Sequence, residues 1–115
     1  MAETEAGLSS EQQKLFALAR AARARIQAPC GAAVVDETGR TYSGADVTLP
    51  SLVLTSIEQA VAAAAAAGAG QLHGCVVVTN GASPPLDVFA DLAGAGAEVV
   101  VCRPDQAVVD RRVFP

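Results

Sequence analysis

Residues 75–79 have the sequence CVVVT, and residues 98–102 have the sequence EVVVC. Both blocks are short, rich in β-branched valine and apolar at consecutive positions, which is typical of central strands covered by helices on both faces. Residues 31–35, GAAVV, have the same character and precede the turn sequence DETG at 36–39, where Gly39 can adopt a positive φ at no steric cost. Residues 40–43 then alternate between polar and apolar, so this region predicts a β-hairpin.

Three helices are predicted around these strands. The first begins at Ser10, which has Gln13 three residues later as in a capping box. The second covers about residues 51–67 and ends at Gly68, and the third is opened by Ser-Pro-Pro at 83–85. The residues predicted to face inward are Leu15, Leu18, Ala19, Ala22 and Ile26 in the first helix, with Phe16 on its polar side, and Leu86, Phe89, Ala90 and Ala93 in the third.

The order of these elements predicts the fold class. This order predicts an α/β fold, specifically a three-layer α/β/α sandwich with a mixed sheet, in the sequence helix, strand, strand, helix, strand, helix, strand. A chain of 115 residues has room for one core. We therefore expect a single domain over residues 1–115, with tails at 1–9 and 104–115.

Composition and charge argue against several classes of partner. The chain is 51% hydrophobic and 17% charged, which is typical of a folded domain. Its net charge is −4 and its eight basic residues form no long run, so we expect no nucleic-acid partner. The longest apolar region, 49–79, is interrupted by polar residues, so we expect no membrane span. The first 13 residues carry three glutamates and no apolar stretch, which predicts a cytoplasmic protein.

Residues 28–35, APCGAAVV, and 38–47, TGRTYSGADV, resemble the opening of the small cytidine deaminases. Those proteins have P-x-G-A-A followed by D-G-R-x-Y-x-G-x-N-x-E in the same hairpin, and their element order is similar over nearly the whole chain. The resemblance implies a cytidine deaminase-like fold and a homo-oligomer, dimer or tetramer, whose helices pack across subunits. The alanine-rich second helix would suit such a contact, and assembly with another protein is a natural extension.

The residues at the family's catalytic positions depart from its pattern. In the family, a Cys-Ala-Glu or His-Ala-Glu motif and a Pro-Cys-x-x-Cys motif supply three zinc ligands and one proton-shuttling glutamate. Here the first motif is Ser56-Ile57-Glu58 and the second is Pro84-Pro85-Leu86-Asp87-Val88. The three ligand positions are Ser56, Pro85 and Val88, so we expect no metal site and no zinc, and only Glu58 matches a catalytic residue.

Each remaining candidate site residue has two interpretations. Glu58 is a surviving catalytic residue or, with Thr55, half of a capping box at the start of the second helix. The family's nucleoside-contacting Asn-x-Glu is replaced by Asp46-Val47-Thr48, which leaves Asp46 and Thr48 as degenerate substrate-binding candidates or as loop residues.

Other metal donors are His73, Cys75, Asp87 and Cys102, but His73 and Cys75 fall at the start of their strand, away from the helix starts. The cysteines Cys30, Cys75 and Cys102 are odd in number and have no C-x-x-C spacing, which favours buried free thiols over zinc ligation.

Three functions are consistent with this sequence. The first is a catalytically degenerate deaminase-like protein that acts as an oligomeric binding or assembly module. The second is an active cytidine deaminase or related hydrolase that uses unrecognised metal ligands. The third is a sensor that binds a nucleoside without turnover. The first is preferred on energetic grounds. Zinc lowers the free-energy cost of forming hydroxide from water at neutral pH by about 12 kcal/mol, whereas a general base without a metal lowers the activation barrier by about 3 to 5 kcal/mol.

Overall fold

A five-stranded mixed sheet lies between two helical layers in the computed structural model, which describes residues 7–115. The helices are α1 (Ser10–Arg25), α2 (Ser56–Ala66) and α3 (Asp87–Leu92). The strands are β1 (Cys30–Asp36), β2 (Thr41–Ala45), β3 (Val47–Leu49), β4 (Leu52–Leu54), β5 (Leu72–Thr79), β6 (Ala93–Cys102) and β7 (Val108–Val113).

The strand order in the main sheet is β2-β1-β5-β6-β7. Only β5 and β6 are parallel, and the other neighbouring pairs are antiparallel. Alternate residues of the central strands pack into two separate cores: one beneath α1, and one beneath α2 and α3. The predicted three-layer sandwich with a mixed sheet is therefore confirmed.

The predicted hairpin at the start of the sheet is also confirmed. Residues of β1 and β2 pair from Gly31 with Ala45 to Val35 with Thr41. Gly39 has a φ of 88° in the connecting turn, the left-handed region that favours glycine. Gly31 has no side chain to collide with α1, because a Cβ there would overlap the carbonyl oxygen of Ala19. The hairpin is thereby held close to the helix.

The prediction for α1 was wrong in its cap and in part of its buried face. Ser9 caps the helix in place of Ser10, accepting from the Gln12 N–H in a capping box. The helix buries Phe16 against the sheet, whereas Leu18 and Ile26 are exposed. Burial of a phenylalanine removes more apolar surface from water than burial of a leucine, which favours this orientation.

The predicted second helix was too long. It begins at Ser56, five residues after the expected start, and residues 52–54 instead pair with 47–49 in a separate two-stranded sheet. The third helix begins at Asp87, after the prolines that were expected to open it, and Ala93 starts β6 directly. Phe89 faces the core as predicted, but Ala90 is exposed.

The predicted tail from residue 104 is wrong because this segment contains β7. Strand β7 pairs with β6 from Glu98–Val113 to Cys102–Val108, and the following Phe114 is buried. Its ring lies 5.3 Å from that of Phe89, centroid to centroid. Of the other predicted tail, residues 1–6 lie outside the described residues, and Ser9 forms the cap of α1.

No helix within residues 7–115 combines the length and apolar character that crossing a membrane requires.

Candidate functional site

Helices α2 and α3 pack against the same face of the sheet and contact each other. Their starts are the positions at which the family's two motifs would lie. The site is therefore built from the residues that begin α2, from those that lead into α3, and from Asp46, which ends the first hairpin.

Thr55 and Glu58 form the capping box that the sequence predicts. The Glu58 N–H donates to Thr55 Oγ1 at 3.1 Å, and Glu58 Oε1 accepts from the Thr55 N–H at 2.8 Å. The negative charge of Glu58 in the first turn is also favourable because of the helix dipole. One carboxylate oxygen of Glu58 is thus engaged in holding the start of the helix.

Asp46 connects the hairpin to the same helix start. Its Oδ1 accepts from the Ser56 N–H at 2.8 Å, and its own N–H donates to the Cys30 carbonyl oxygen at 3.3 Å. The fold therefore brings Asp46, Ser56 and Glu58 together. Thr48 is separated from them, since it lies exposed on the β3–β4 hairpin opposite Val53.

Ser56 has an unusual environment for a hydroxyl group. It is fully buried, and its Oγ is the one buried side-chain nitrogen or oxygen within residues 7–115 that has no hydrogen-bond partner. An unsatisfied buried polar group destabilises a protein by about 1 to 3 kcal/mol. The sequence motif located this residue, but its missing partner is visible only in the structure.

The side chains at the three motif positions do not fit a zinc ion. Zinc in proteins is bound by thiolate, imidazole or carboxylate groups. Ser56 offers a neutral hydroxyl, Pro85 an exposed ring without a donor atom, and Val88 a half-buried hydrocarbon. No three side chains of His, Cys, Asp or Glu converge on one point in the part of the chain that the structure describes.

The alternative donors are also dispersed. Cys75 belongs to the core beneath α2 and α3, whereas Cys102 belongs to the core beneath α1, on the opposite face of the sheet. His73 is exposed near the start of β5. These positions cannot bind one ion together, because the sheet separates the two thiols.

The three cysteines are buried and free, as predicted. Burial raises the pKa of the Cys75 thiol to about 12. Burial likewise raises the pKa of Cys102 to about 11, against a smaller opposing effect of Arg111. Burial also raises the pKa of Cys30, although a hydrogen bond with the Thr79 side chain opposes this. Neutral thiols are poor nucleophiles and poor metal ligands, so these residues act as apolar core groups.

The segment that leads into α3, residues 80–86, is held by Arg103. Its Nη1 donates to the carbonyl oxygens of Thr79 at 3.0 Å and of Gly81 at 2.9 Å. Thr79 Oγ1 in turn accepts from the Gly81 N–H at 3.0 Å. Sequence reasoning missed Arg103, because an isolated arginine after a strand carries no motif.

A second feature that the sequence did not indicate is a cavity of about 220 Å³ at the free edge of β2. Gln59 closes one side of it, and its Oε1 accepts from the Ala45 N–H at 2.8 Å. Gly44 permits this arrangement, since a Cβ there would press against the Gln59 side chain. The cavity is also lined by Ala22, Arg25, Ile26, Ser43 and Val47.

The three-layer sandwich, with two helix starts beside the end of the first hairpin, defines a deaminase-type α/β/α domain. A family model described as cytidine deaminase-like matches residues 8–106, and the chain belongs to this family. No protein with a curated description matches the sequence.

Solved structures of cytidine deaminases are similar to this chain. The enzyme from Burkholderia pseudomallei is 26% identical, with a TM-score of 0.71, and the match covers 93% of this chain and 92% of that one. The cytidine deaminase of Mycobacterium leprae is 22% identical, with a TM-score of 0.64 and coverage of 88% and 91%. That of Mycobacterium tuberculosis is 21% identical, with a TM-score of 0.66 and coverage of 86% and 89%. The latter two similarities concern the fold alone.

Proposed function

We propose that this chain is a catalytically degenerate cytidine deaminase-like protein that acts without zinc, as an oligomeric binding or assembly module in the cytoplasm. The observation that supports this most directly is the chemistry of Ser56, Pro85 and Val88, which occupy the positions of the family's zinc ligands and do not fit that metal.

The environment of Glu58 supports the same proposal. Its carboxylate is bound to the backbone of Thr55, which gives the residue a structural role that needs no reaction. A general base acting alone accelerates a reaction by about 10² to 10⁴, equivalent to about 3 to 5 kcal/mol. That is far less than the contribution of a metal-activated water.

The proposed partners follow from the resemblance and from the charge distribution. We propose a homo-oligomer, dimer or tetramer, with assembly with another protein as an extension. The net charge of −4 and the scattered basic residues support an absence of nucleic-acid binding, and the polar interruptions of the apolar regions support an absence of membrane binding.

Metal analysis tests the proposal. The purified protein is incubated with zinc, dialysed, and measured for metal content and for loss of cytidine absorbance. We expect far less than one zinc per chain and no loss of absorbance. The matched control is the triple variant Ser56→Cys, Pro85→Cys and Val88→Cys, which rebuilds the motif and should retain zinc. One zinc per wild-type chain, together with turnover of cytidine, would establish the active-enzyme alternative.

A nucleoside panel separates the assembly module from a sensor. A ligand that binds only the folded state stabilises it by RT ln(1 + [L]/Kd), so the thermal midpoint rises as the ligand concentration exceeds Kd. We expect no shift with any nucleoside, because Asp46 Oδ1 is already bound to the Ser56 N–H. A concentration-dependent rise with one nucleoside, without turnover, would instead establish the sensor.

A further inference from the structure

The main sheet has two outer edges, formed by β2 and β7. An outer strand presents backbone N–H and C=O groups to which another strand can bind, and proteins usually protect such edges with charged residues or proline. Strand β7 is protected in this way, since it contains Asp110, Arg111 and Arg112. Strand β2, with the sequence TYSGA, has neither a charge nor a proline. The edge of β2 is therefore the one that can accept a further strand.

The hydrogen bonds of β2 show which of its residues face this edge. The Ala45 N–H donates to Gln59 Oε1 at 2.8 Å and so points away from β1. In an antiparallel ladder, residues two positions apart direct their N–H and C=O groups to the same side. Thr41 and Ser43 therefore also direct theirs away from β1, and no strand within residues 7–115 pairs with β2 on that side. Ser43 thus offers one donor and one acceptor at the edge.

The cavity of about 220 Å³ lies beside Ser43 and has an apolar wall. Ala22 and Ile26 form this wall with Val47. Ala45 packs with Ala22 of α1, so a strand added to β2 would direct every second side chain towards the same helix. An apolar cavity of about 150 Å³ accommodates a benzene molecule, so this one has room for one aliphatic side chain of the size of leucine.

Arg25 adds a positive charge to the cavity. It is exposed, and the ion pair found within residues 7–115 joins Arg111 to Glu98, so Arg25 has no carboxylate partner in that range. Gln59 lines the cavity too, and because its Oε1 is bound to the Ala45 N–H, its NH₂ group is the part that remains for a ligand. Both groups are donors, and a guanidinium binds a carboxylate with charge-assisted hydrogen bonds.

We propose that the edge of β2 and its cavity bind the carboxyl terminus of a partner protein that ends in an aliphatic residue. The terminal peptide adds to β2 as a strand and exchanges hydrogen bonds with Ser43, its last side chain enters the cavity, and its carboxylate binds Arg25. The inference rests on the proposed binding function and names the chemistry of the partner. A peptide terminus uses the edge donor and acceptor, the apolar wall and the cation together, whereas a small carboxylate would leave the Ser43 carbonyl oxygen without a donor.

Peptides of defined terminus test this site. The full chain is applied to an array of hexapeptides with free carboxyl termini, in which the last two positions sample all amino acids, and to the same array with amidated termini. Fluorescence anisotropy then gives the Kd of the best peptide in both forms. We expect binding to peptides that end in leucine, isoleucine or valine, weakened about tenfold or more by amidation. Binding to no terminus, or equal binding of the amide, would overturn the proposal.

Two variants and a control locate the site. Arg25→Gln should weaken binding about tenfold or more. Arg20→Gln should leave it unchanged, because Arg20 lies over the Phe16 ring on the same helix and does not line the cavity. Ser43→Pro removes the N–H at the edge but no hydrogen bond to β1, so it should also weaken binding while circular dichroism shows a folded chain. Equal effects of the two arginine variants would contradict the proposal.

Hydrogen exchange keeps the test decisive if the proline variant does not fold. The peptide should slow exchange in residues 41–45 of the wild type, and unchanged exchange there would exclude strand addition. Sedimentation is measured with and without the peptide. An association of two copies that the peptide does not displace would assign the edge to a second copy and overturn the proposal.

Zinc content and cytidine turnover are measured on the same samples, so that the two proposals can fail separately. A zinc-free, inactive chain that binds no peptide removes this inference alone. A zinc-loaded, active chain that binds the peptide removes the degenerate function alone.

Discussion

The carboxylate of Asp36 organises the turn between β1 and β2. It is buried, and it accepts from the N–H groups of Thr38 and Arg40 and from the hydroxyls of Thr38 and Tyr42, at 2.7 to 3.0 Å. Burial by itself raises the pKa of this carboxyl, but the four hydrogen bonds outweigh that effect and hold the pKa at about 2.

Protonation of Asp36 is expected to destabilise the protein in acid. Its pKa in the folded state is below the ordinary value of 3.8, so the carboxylate stabilises the fold above that value, and this contribution is lost as the pH falls towards 2. Asp36→Asn should lower the urea midpoint at neutral pH and flatten its decline between pH 4 and pH 2. Asp91→Asn, at an exposed helical position, is the control, and an identical pH profile for both variants would contradict the prediction.

The capping box at the start of α2 can be separated from a catalytic role for Glu58. Thr55→Ala removes a cap and should reduce the free energy of unfolding by about 1 kcal/mol. Glu58→Gln should change it by only a few tenths, since glutamine also fits the third position of a capping box. Chemical denaturation measures both values, and a larger loss for Glu58→Gln would show that the charge has a role beyond the cap.

The buried Ser56 hydroxyl gives a further test at this scale. Ser56→Ala removes a polar atom that has no partner and retains the N–H that binds Asp46. We expect stability to be unchanged or raised by up to about 1 kcal/mol. A thermal melt that shows a clear loss of stability would mean that the hydroxyl has a partner in solution.

Close packing of β1 against α1 depends on Gly31. Gly31→Ala would overlap the Ala19 carbonyl oxygen, so we expect a loss of about 1 to 3 kcal/mol through displacement of the helix. Gly74→Ala in β5 is the matched control, because a Cβ there meets its nearest neighbours at 3.6 Å or more, an ordinary contact. Equal urea midpoints for the two variants would show that α1 can move away without loss.

Elements with strong local signals could be predicted from the sequence, and those that depend on tertiary pairing could not. The valine-rich blocks of β5 and β6 and the turn at Gly39 are local signals. Strand β4 was mistaken for the start of the second helix because its leucines fit either period over so short a length. Strand β7 was missed because its charged residues are typical of a tail. It is a strand because it pairs with β6, and that pairing has no local signal in the sequence.

The carboxyl-terminal segment connects the sheet to the third helix across the whole molecule. Phe114 is buried against Phe89 of α3, so Phe114→Ala should reduce the free energy of unfolding by about 3 to 5 kcal/mol. Val113→Ala, at the exposed neighbouring position, should change it by less than about 0.5 kcal/mol. Similar values from chemical denaturation would mean that the segment is a tail after all.

The candidate site was predictable where it rested on motif positions. Ser56, Pro85 and Val88 were located by their places relative to helix starts, although both helices begin later than predicted. The engagement of Asp46 with the Ser56 N–H and the cavity beside Gln59 were not predictable, since both depend on how distant segments meet.

The two hydrogen bonds from Arg103 to the carbonyl oxygens of Thr79 and Gly81 have a kinetic consequence. They hold the start of the proline-containing segment 80–86 in place before any molecule binds, so that little conformational entropy would be lost there on binding. A molecule that binds at this end of the protein would therefore meet a preorganised surface. Its association rate constant would be set by diffusion and orientation and not by ordering of the loop.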